Sequence, residues 1–227
     1  MGIEKVNKHL GELFFYALTK NLIKDKNIHQ SLQELSVILD LKNVEMMPLL
    51  NHKDFDDLME PLLNDAAQRC LFEPNTLFER DAFEAKIIDA LMPRPNEVKS
   101  QFQTLYANNP EDATHYLYRL SVDVNYIKSK RLKNNIEWIH PSIYGLLQMT
   151  INLAKPEKDP KEIAASRNRE EPIYEHRPQC VLCKENERNY WNARMNLRMV
   201  PITLGHEQWH FQYSPYLYYP EHAIILH

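Results

Sequence analysis

The feature that most limits the fold is a change of period near residue 124. Before it, apolar residues recur at three- and four-residue steps; after it, they alternate or gather in short β-type runs. Residues 4–24 carry Val6, Leu10, Leu13, Phe14, Leu18 and Leu22 along one helical stripe. Residues 31–41 repeat the pattern through Leu32, Leu35, Val37, Ile38 and Leu39, with Ser31 read as the N-cap. Residues 54–71 continue it through Leu58, Leu62, Leu63 and Ala67, and Pro61 is expected to break or kink that helix. Cys70 in this run reads as a buried, unreactive thiol. Asp81 with Glu84 reads as a capping box that opens a helix through Ile87, Ile88 and Leu91. Met92-Pro93-Arg94-Pro95 then forms a rigid turn, because each residue before a proline is pushed out of the α region. Asn96 reads as the cap of the next helix, with Val98, Phe102 and Leu105 inward. Pro110 opens the last one, with Tyr116, Leu117 and Leu120 inward.

Residues 125–127 and 136–139 read as short strands, and residues 147–153 alternate as a half-buried strand should. Residues 155–170 are charged, contain Pro156 and Pro160, and read as a surface connection. Residues 197–204, 209–213 and 222–226 complete the β pattern. The expectation is an α+β chain: a helical N-terminal region over residues 1–122 and a β-rich, antiparallel region over residues 123–227.

Composition narrows the function classes. A chain of 227 residues that is 44% hydrophobic and 26% charged folds around a real core. A net charge of −4 argues against nucleic acid or a membrane surface as partner. No apolar run approaches the roughly 20 residues of a membrane span, and no leader is visible, so the cytoplasm is the expected location. Three cysteines in a chain of this length argue against a disulfide framework. The four glycines, Gly2, Gly11, Gly145 and Gly205, cannot build a Gly-rich phosphate cradle.

Cys180-Val181-Leu182-Cys183 has the spacing with which two thiolates meet one zinc ion. Two oxidisable or buried thiols are an alternative reading. A redox pair would need the motif to open a helix after a strand, and the residues around it do not suggest that. His206-Glu207-Gln208-Trp209-His210 matches HExxH, yet Gly205 before it and the aromatic, proline-broken run after it predict a hairpin. On a strand, residues four apart lie roughly 13 Å from one another, too far to share one metal ion. Trp209, Phe211 and Tyr213 would then share one face, and His210 and Gln212 the other. Cys180, Cys183, His206 and His210 as one structural zinc site is a further alternative, although the 22 residues between Cys183 and His206 exceed compact finger spacing. Arg177 and Arg198 are natural partners for an anionic group such as a phosphate, and a solvated loop is the alternative reading.

Longer segments say more than spacings. EHRPQCVLCKENE at 175–187, NLRMVPIT at 196–203 and EQWHFQYSPYLYYPEHAIILH at 207–227 resemble the class II galactose-1-phosphate uridylyltransferases. RDAFEAKIIDALMPRPNEV at 80–98 and LQMTINLAKPEKDPKEIAASRN at 147–168 share the resemblance. It implies an enzyme that moves UMP from UDP-glucose to galactose 1-phosphate through a uridylyl-histidine intermediate. It also implies that the β region resembles the start of a histidine-triad-like half-barrel, incomplete at its C-terminal side. The nucleophile of that family lies in a His-x-His motif, and no two histidines here are separated by one residue. On this reading the catalytic pair lies beyond the chain, which is inactive alone.

The implied contributions are zinc cysteines Cys180 and Cys183 and a nucleotide wall of Arg177, Val181, Arg198, Gln212, Tyr213 and Ser214. The implied partners are UDP-glucose, galactose 1-phosphate, and a complementing C-terminal half or a second copy. The segment after the cysteines departs from the family. Where a glycine-containing ENEGYxGRxxHPAR pattern is usual, this chain has the shorter ENERNYWNAR, with Arg188 in place of a glycine. Loss of a glycine there restricts how closely backbone can approach a phosphate. The alternative is a non-catalytic zinc-binding or dimerisation remnant.

Overall fold

In a computed structural model of the chain, residues 3–42, 44, 49–50, 53–155, 182–188 and 194–227 are described. Among them the helices come first: α1 (Ile3–Thr19), α2 (Ile28–Ile38), α3 (Phe55–Gln68), α4 (Leu77–Asp89), α5 (Pro95–Asn108), α6 (Pro110–Asp123) and the single turn α7 (Ser129–Leu132). Strands β1 (Ile136–Ser142) and β2 (Gly145–Ile151) form an antiparallel hairpin of their own. Strands β3 (Val200–Leu204), β4 (Glu207–Tyr213) and β5 (Ala223–Leu226) form a second antiparallel sheet in that order. The arrangement is α+β, as the change of period predicts.

Helical and sheet residues share one core. Leu10, Leu13, Phe14, Leu58 and Leu62 seat α1 on α3, and Ile87, Ile88 and Leu91 extend the core through α4. Helices α5 and α6 pair through a one-residue joint, Asn109, whose side chain accepts the Glu111 N–H at 3.1 Å while Pro110 starts α6. This pair carries the second sheet. Phe102 meets Phe211 at 6.5 Å between ring centroids, Tyr118 meets Tyr213 edge-on at 5.1 Å, and the Tyr213 hydroxyl donates to the Thr114 carbonyl at 3.1 Å. No described helix is long and apolar enough to cross a membrane.

Several local expectations are corrected. Asp81 and Glu84 do not cap α4: Thr76 is its N-cap, accepting the Glu79 N–H at 3.1 Å, and both acids are buried inside the helix. They face the connection that follows α6. Lys128 donates to Glu84 at 2.8 Å, Asn125 to the same carboxylate at 2.8 Å, and Arg131 to Asp81 at 2.7 Å. That anchoring holds residues 125–127 as a turn rather than a strand, with Asn125 in the left-handed region at φ 52. Helix α5 starts two residues earlier than expected: Arg94 is its N-cap and Pro95 its first residue, and the Glu97 carboxylate accepts the Arg94 N–H at 2.9 Å, so Asn96 is not the cap. Ser31 lies buried within α2, which begins at Ile28. Pro61 leaves α3 unbroken, because buried Leu58, Leu62 and Leu63 hold both halves of it against the core. Cys70 is exposed, at a left-handed residue just past the end of α3.

Candidate functional site

The candidate site is the face of β4 opposite the one that Phe211 and Tyr213 lay on α5 and α6. Side chains alternate along a strand. Phe211 and Tyr213 pack toward α5 and α6, so His210 and Gln212 take the opposite face, and Ser214 follows in the same phase. This alternation matches the sequence-based reading of 209–213. Gly205, at φ +64, and His206 form the tight turn joining β3 to β4 across the Leu204–Glu207 pair. His206 sits on the exposed turn and His210 in the strand, so the HExxH string is a β-hairpin and not a helical metal motif.

Gln212 is the most unusual residue here. It is fully buried, and among the described residues neither its amide nitrogen nor its amide oxygen has a hydrogen-bond partner. A buried amide without partners costs about 1–3 kcal/mol for each group left unsatisfied, so such a residue in a native fold calls for an explanation. Two residues earlier on the same face, about 7 Å along the strand, His210 has a buried ring nitrogen that also lacks a partner among the described residues. Burial first, then Lys184 and Lys99, hold the His210 imidazole below its ordinary pKa, so it is neutral near pH 7. Among the described residues the Ser214 hydroxyl makes one long contact, 3.5 Å, to the Tyr216 carbonyl. The stripe therefore presents a neutral imidazole, an amide and a hydroxyl. Such groups read hydrogen-bonding edges of a neutral ring or sugar rather than charge.

The other predicted wall residues occupy different places. Tyr213 faces the helices, and its hydroxyl is pushed up to about 12, chiefly by burial and then by Glu221. Arg198 is buried with its donors spread over the fold: Pro93 carbonyl at 2.9 Å, Met195 and Leu197 carbonyls at 3.1 and 2.9 Å, and Asp89 at 2.7 Å. Burial draws its pKa down and Asp89 opposes that. Arg177, Val181 and Cys180 lie outside the described residues. Cys183 is half-exposed and leads into a 3₁₀ turn over Lys184–Asn186. Glu187 docks this turn on the fold, accepting Lys99 at 2.8 Å and the Met199 N–H at 3.1 Å. Among the described residues, no three His, Cys, Asp or Glu side chains converge in a metal-binding group.

Arg188, which stands where the family pattern has glycine, takes the left-handed conformation at φ 63. Its guanidinium clasps Asp89 at 2.9 Å, with Glu34 at 3.7 Å. Asp89 thus holds two arginines, one from each side of the β3 approach. Asp89 did not stand out as a site residue in the sequence, and His210 did so only as an alternative metal ligand. The alternation of β4 places His210 beside Gln212, but only the fold shows that Asp89, one of three buried acids on α4, gathers both arginines.

Comparison with known proteins settles the family. The model of the galactose-1-phosphate uridyl transferase N-terminal domain matches residues 31–227. The chain belongs to the galactose-1-phosphate uridylyltransferase family. It is 40% identical to the galactose-1-phosphate uridylyltransferase of Clostridium acetobutylicum over 97% of its length, and 38% identical to that of Bacillus subtilis over 96%. The Butyrivibrio fibrisolvens enzyme of the same name is 43% identical over 75% of the chain. The chain spans a little under half of these relatives, 45%, 44% and 44% in that order. No solved structure matches it. The family to which the sequence segments pointed is therefore the one to which the chain belongs, and the matched portion is N-terminal.

Proposed function

We propose that this chain supplies the uridine-recognising wall of a hexose-1-phosphate uridylyltransferase, which exchanges UMP between UDP-glucose and galactose 1-phosphate. The observation that carries this reading is the buried, unpartnered amide of Gln212, in a strand of a family member. Gln212 and Ser214 are the direct contacts, and His210 extends the stripe. Arg198 and Tyr213 position the strand, one through Asp89 and one through the Thr114 carbonyl. Arg177 and Val181, which precede β3 in the sequence, are further proposed members of the wall.

The chemistry divides between this wall and a nucleophilic histidine that the chain does not carry. An imidazole nitrogen attacks the α-phosphorus of UDP-glucose, the bond to the bridging oxygen breaks, and glucose 1-phosphate leaves. A phosphate oxygen of galactose 1-phosphate then displaces the imidazole, giving UDP-galactose and the free histidine. The wall adds no charge to these steps; it holds the base and sugar so that the α-phosphorus stays in line. Cys180 and Cys183 are the residues that would hold a zinc ion, a structural tie needing further ligands.

Mixing this chain with the C-terminal half of the Bacillus subtilis relative tests the reading. Conversion of galactose 1-phosphate to UDP-galactose, dependent on UDP-glucose, is expected in the mixture and in neither half alone. A stable complex that shows no exchange would contradict it. That result would favour the second reading, a non-catalytic remnant, which is motivated by Arg188 standing where the resemblance implies a glycine.

A further inference from the structure

The face of β4 that carries Gln212 is joined by a histidine from the far side of the β4–β5 connection. The Ser214 N–H donates to the His222 carbonyl at 2.9 Å, which extends the ladder one pair beyond Tyr213–Ala223. Residues directly opposite one another share a face, so His222 stands across from Ser214 on the side of His210 and Gln212. Its Nδ1 is buried and has no hydrogen-bond partner among the described residues. With His210 Nε2 and both polar atoms of Gln212, that makes four such atoms on one face, and each calls for a partner. The His222 ring is held in place. Tyr219 lies 4.7 Å away at 41° and Tyr218 meets it edge-on at 6.0 Å, centroid to centroid. The turn that delivers it is closed by the His222 N–H, which donates to the Tyr219 carbonyl at 3.2 Å. Within that turn Pro220 has its φ fixed by its ring, and Glu221 takes the left-handed conformation at φ 55, uncommon for a residue other than glycine. Backbone and rings together fix where the imidazole sits.

We propose that His222 is a base-specificity residue: it reads one carbonyl of uracil while Gln212 reads the ring N–H and the other carbonyl. This rests on the nucleotide reading of the same face. His222 and Gln212 are diagonal neighbours across the strand pair, about 7–8 Å apart, a spacing that one six-membered ring can bridge. Uracil offers two carbonyl acceptors on either side of a ring N–H donor. The Gln212 amide, a donor and an acceptor side by side, matches O2 and N3–H. A ring N–H of His222 matches O4. Cytosine carries an amino donor at O4's position and an acceptor at N3. It would face His222 donor to donor and leave the Gln212 amide oxygen without a donor. A site built to hydrogen-bond one edge rejects an analogue that leaves its polar groups unpaired. Tyr218 and Tyr219 are positioning residues that act through the imidazole.

Isothermal titration of UDP-glucose and of CDP-glucose into the chain complexed with the C-terminal half of the Bacillus subtilis relative tests it. The parent complex should prefer UDP-glucose by about 100-fold. His222→Phe keeps a ring against Tyr219 and removes both ring nitrogens. It should weaken UDP-glucose by about 10-fold or more and narrow the preference by the same factor, because CDP-glucose gains nothing from that imidazole. Tyr219→Ala, at an exposed ring, should give part of both effects, and Tyr219→Phe should behave as the parent. Parent affinity and preference in His222→Phe would overturn the proposal. So would a parent complex that binds the two nucleotides equally, or equal weakening of both by His222→Phe, the mark of a purely structural role. If His222→Phe loses the parent circular dichroism spectrum, the Tyr219 pair decides: no change of preference in Tyr219→Ala, or the same change in Tyr219→Phe, overturns it. Gln212→Met separates this inference from the reading beneath it. A loss there with none in His222→Phe removes the role of His222 alone, whereas no binding by the parent complex removes both.

Discussion

Replacing Asp89 with asparagine removes the one carboxylate that neutralises Arg198 and Arg188 together. Arg198 has a side chain only 1% exposed, at 2.7 Å from Asp89, so the change leaves a buried cation whose other partners are neutral carbonyls. Breaking a buried pair by removing one partner costs about 3–5 kcal/mol, because the remaining charge stays desolvated. For a chain of this size, roughly 2–4 °C of melting temperature accompany each kcal/mol, so a loss near 3 kcal/mol lowers the midpoint by about 10 °C. Arg188→Gly is the matched control. The Arg188 side chain is 33% exposed and its backbone is left-handed. Its lost ion pair is screened by water, worth about 0–1 kcal/mol, and glycine relieves backbone strain of about the same size. The control should therefore stay within about 1 kcal/mol of the parent. Urea unfolding followed by circular dichroism measures both variants. An Asp89→Asn loss under about 1 kcal/mol, or one matched by Arg188→Gly, would refute the claim that Asp89 is the electrostatic keystone of the β3 approach.

Other outcomes follow from single sites. Thr76→Ala should cost about 1 kcal/mol through the lost cap of α4, while Asn96→Ala should be silent within about 0.5 kcal/mol; the reverse order in urea midpoints would restore the cap positions expected from sequence. Gln212→Met keeps the side-chain volume and removes two unpartnered polar atoms, so it should leave stability unchanged or raise it by about 1 kcal/mol. A clear loss in thermal unfolding would mean that the amide is needed by the fold and not by a ligand. His210 titrates below its unfolded value of 6.5. Its contribution to stability is complete above pH 6.5 and is lost as pH falls from there toward the folded pKa, where the unfolded chain takes up a proton that the folded chain resists. Stability differences between the parent and His210→Gln should therefore slope with pH below about 6.5 and be flat above it; a difference that is flat throughout is the contrary result.

The sequence was most legible where periodicity and packing agree. Leu10, Leu13 and Phe14 on α1, and the alternation that puts Phe211 and Gln212 on opposite faces of β4, follow directly from spacing. Caps were less legible. Asp81 and Glu84 have the spacing of a capping box, and only tertiary structure shows that they are buried counter-charges for Arg131 and Lys128. Burial alone would lower the pKa of that lysine, but Glu84 and Asp81 outweigh it and hold it above its ordinary value. Pro61 failed as a helix breaker because the leucines around it are fixed by neighbours outside the local sequence. In the candidate site, Gln212 and Ser214 could be named from the family segments. The orphaned state of the Gln212 amide could not be, since it is a property of everything packed around it. The role of Asp89 was invisible for the same reason: its arginines lie 99 and 109 residues away in the chain.

The central claim is that the Gln212 face of β4 recognises a uridine nucleotide. Isothermal titration of UDP-glucose into this chain complexed with the C-terminal half of the Bacillus subtilis relative tests it most directly. The account predicts saturable binding that Gln212→Met weakens by about 10-fold or more without loss of stability. Equal affinity for the parent and Gln212→Met complexes, or no binding by the parent complex, would contradict it.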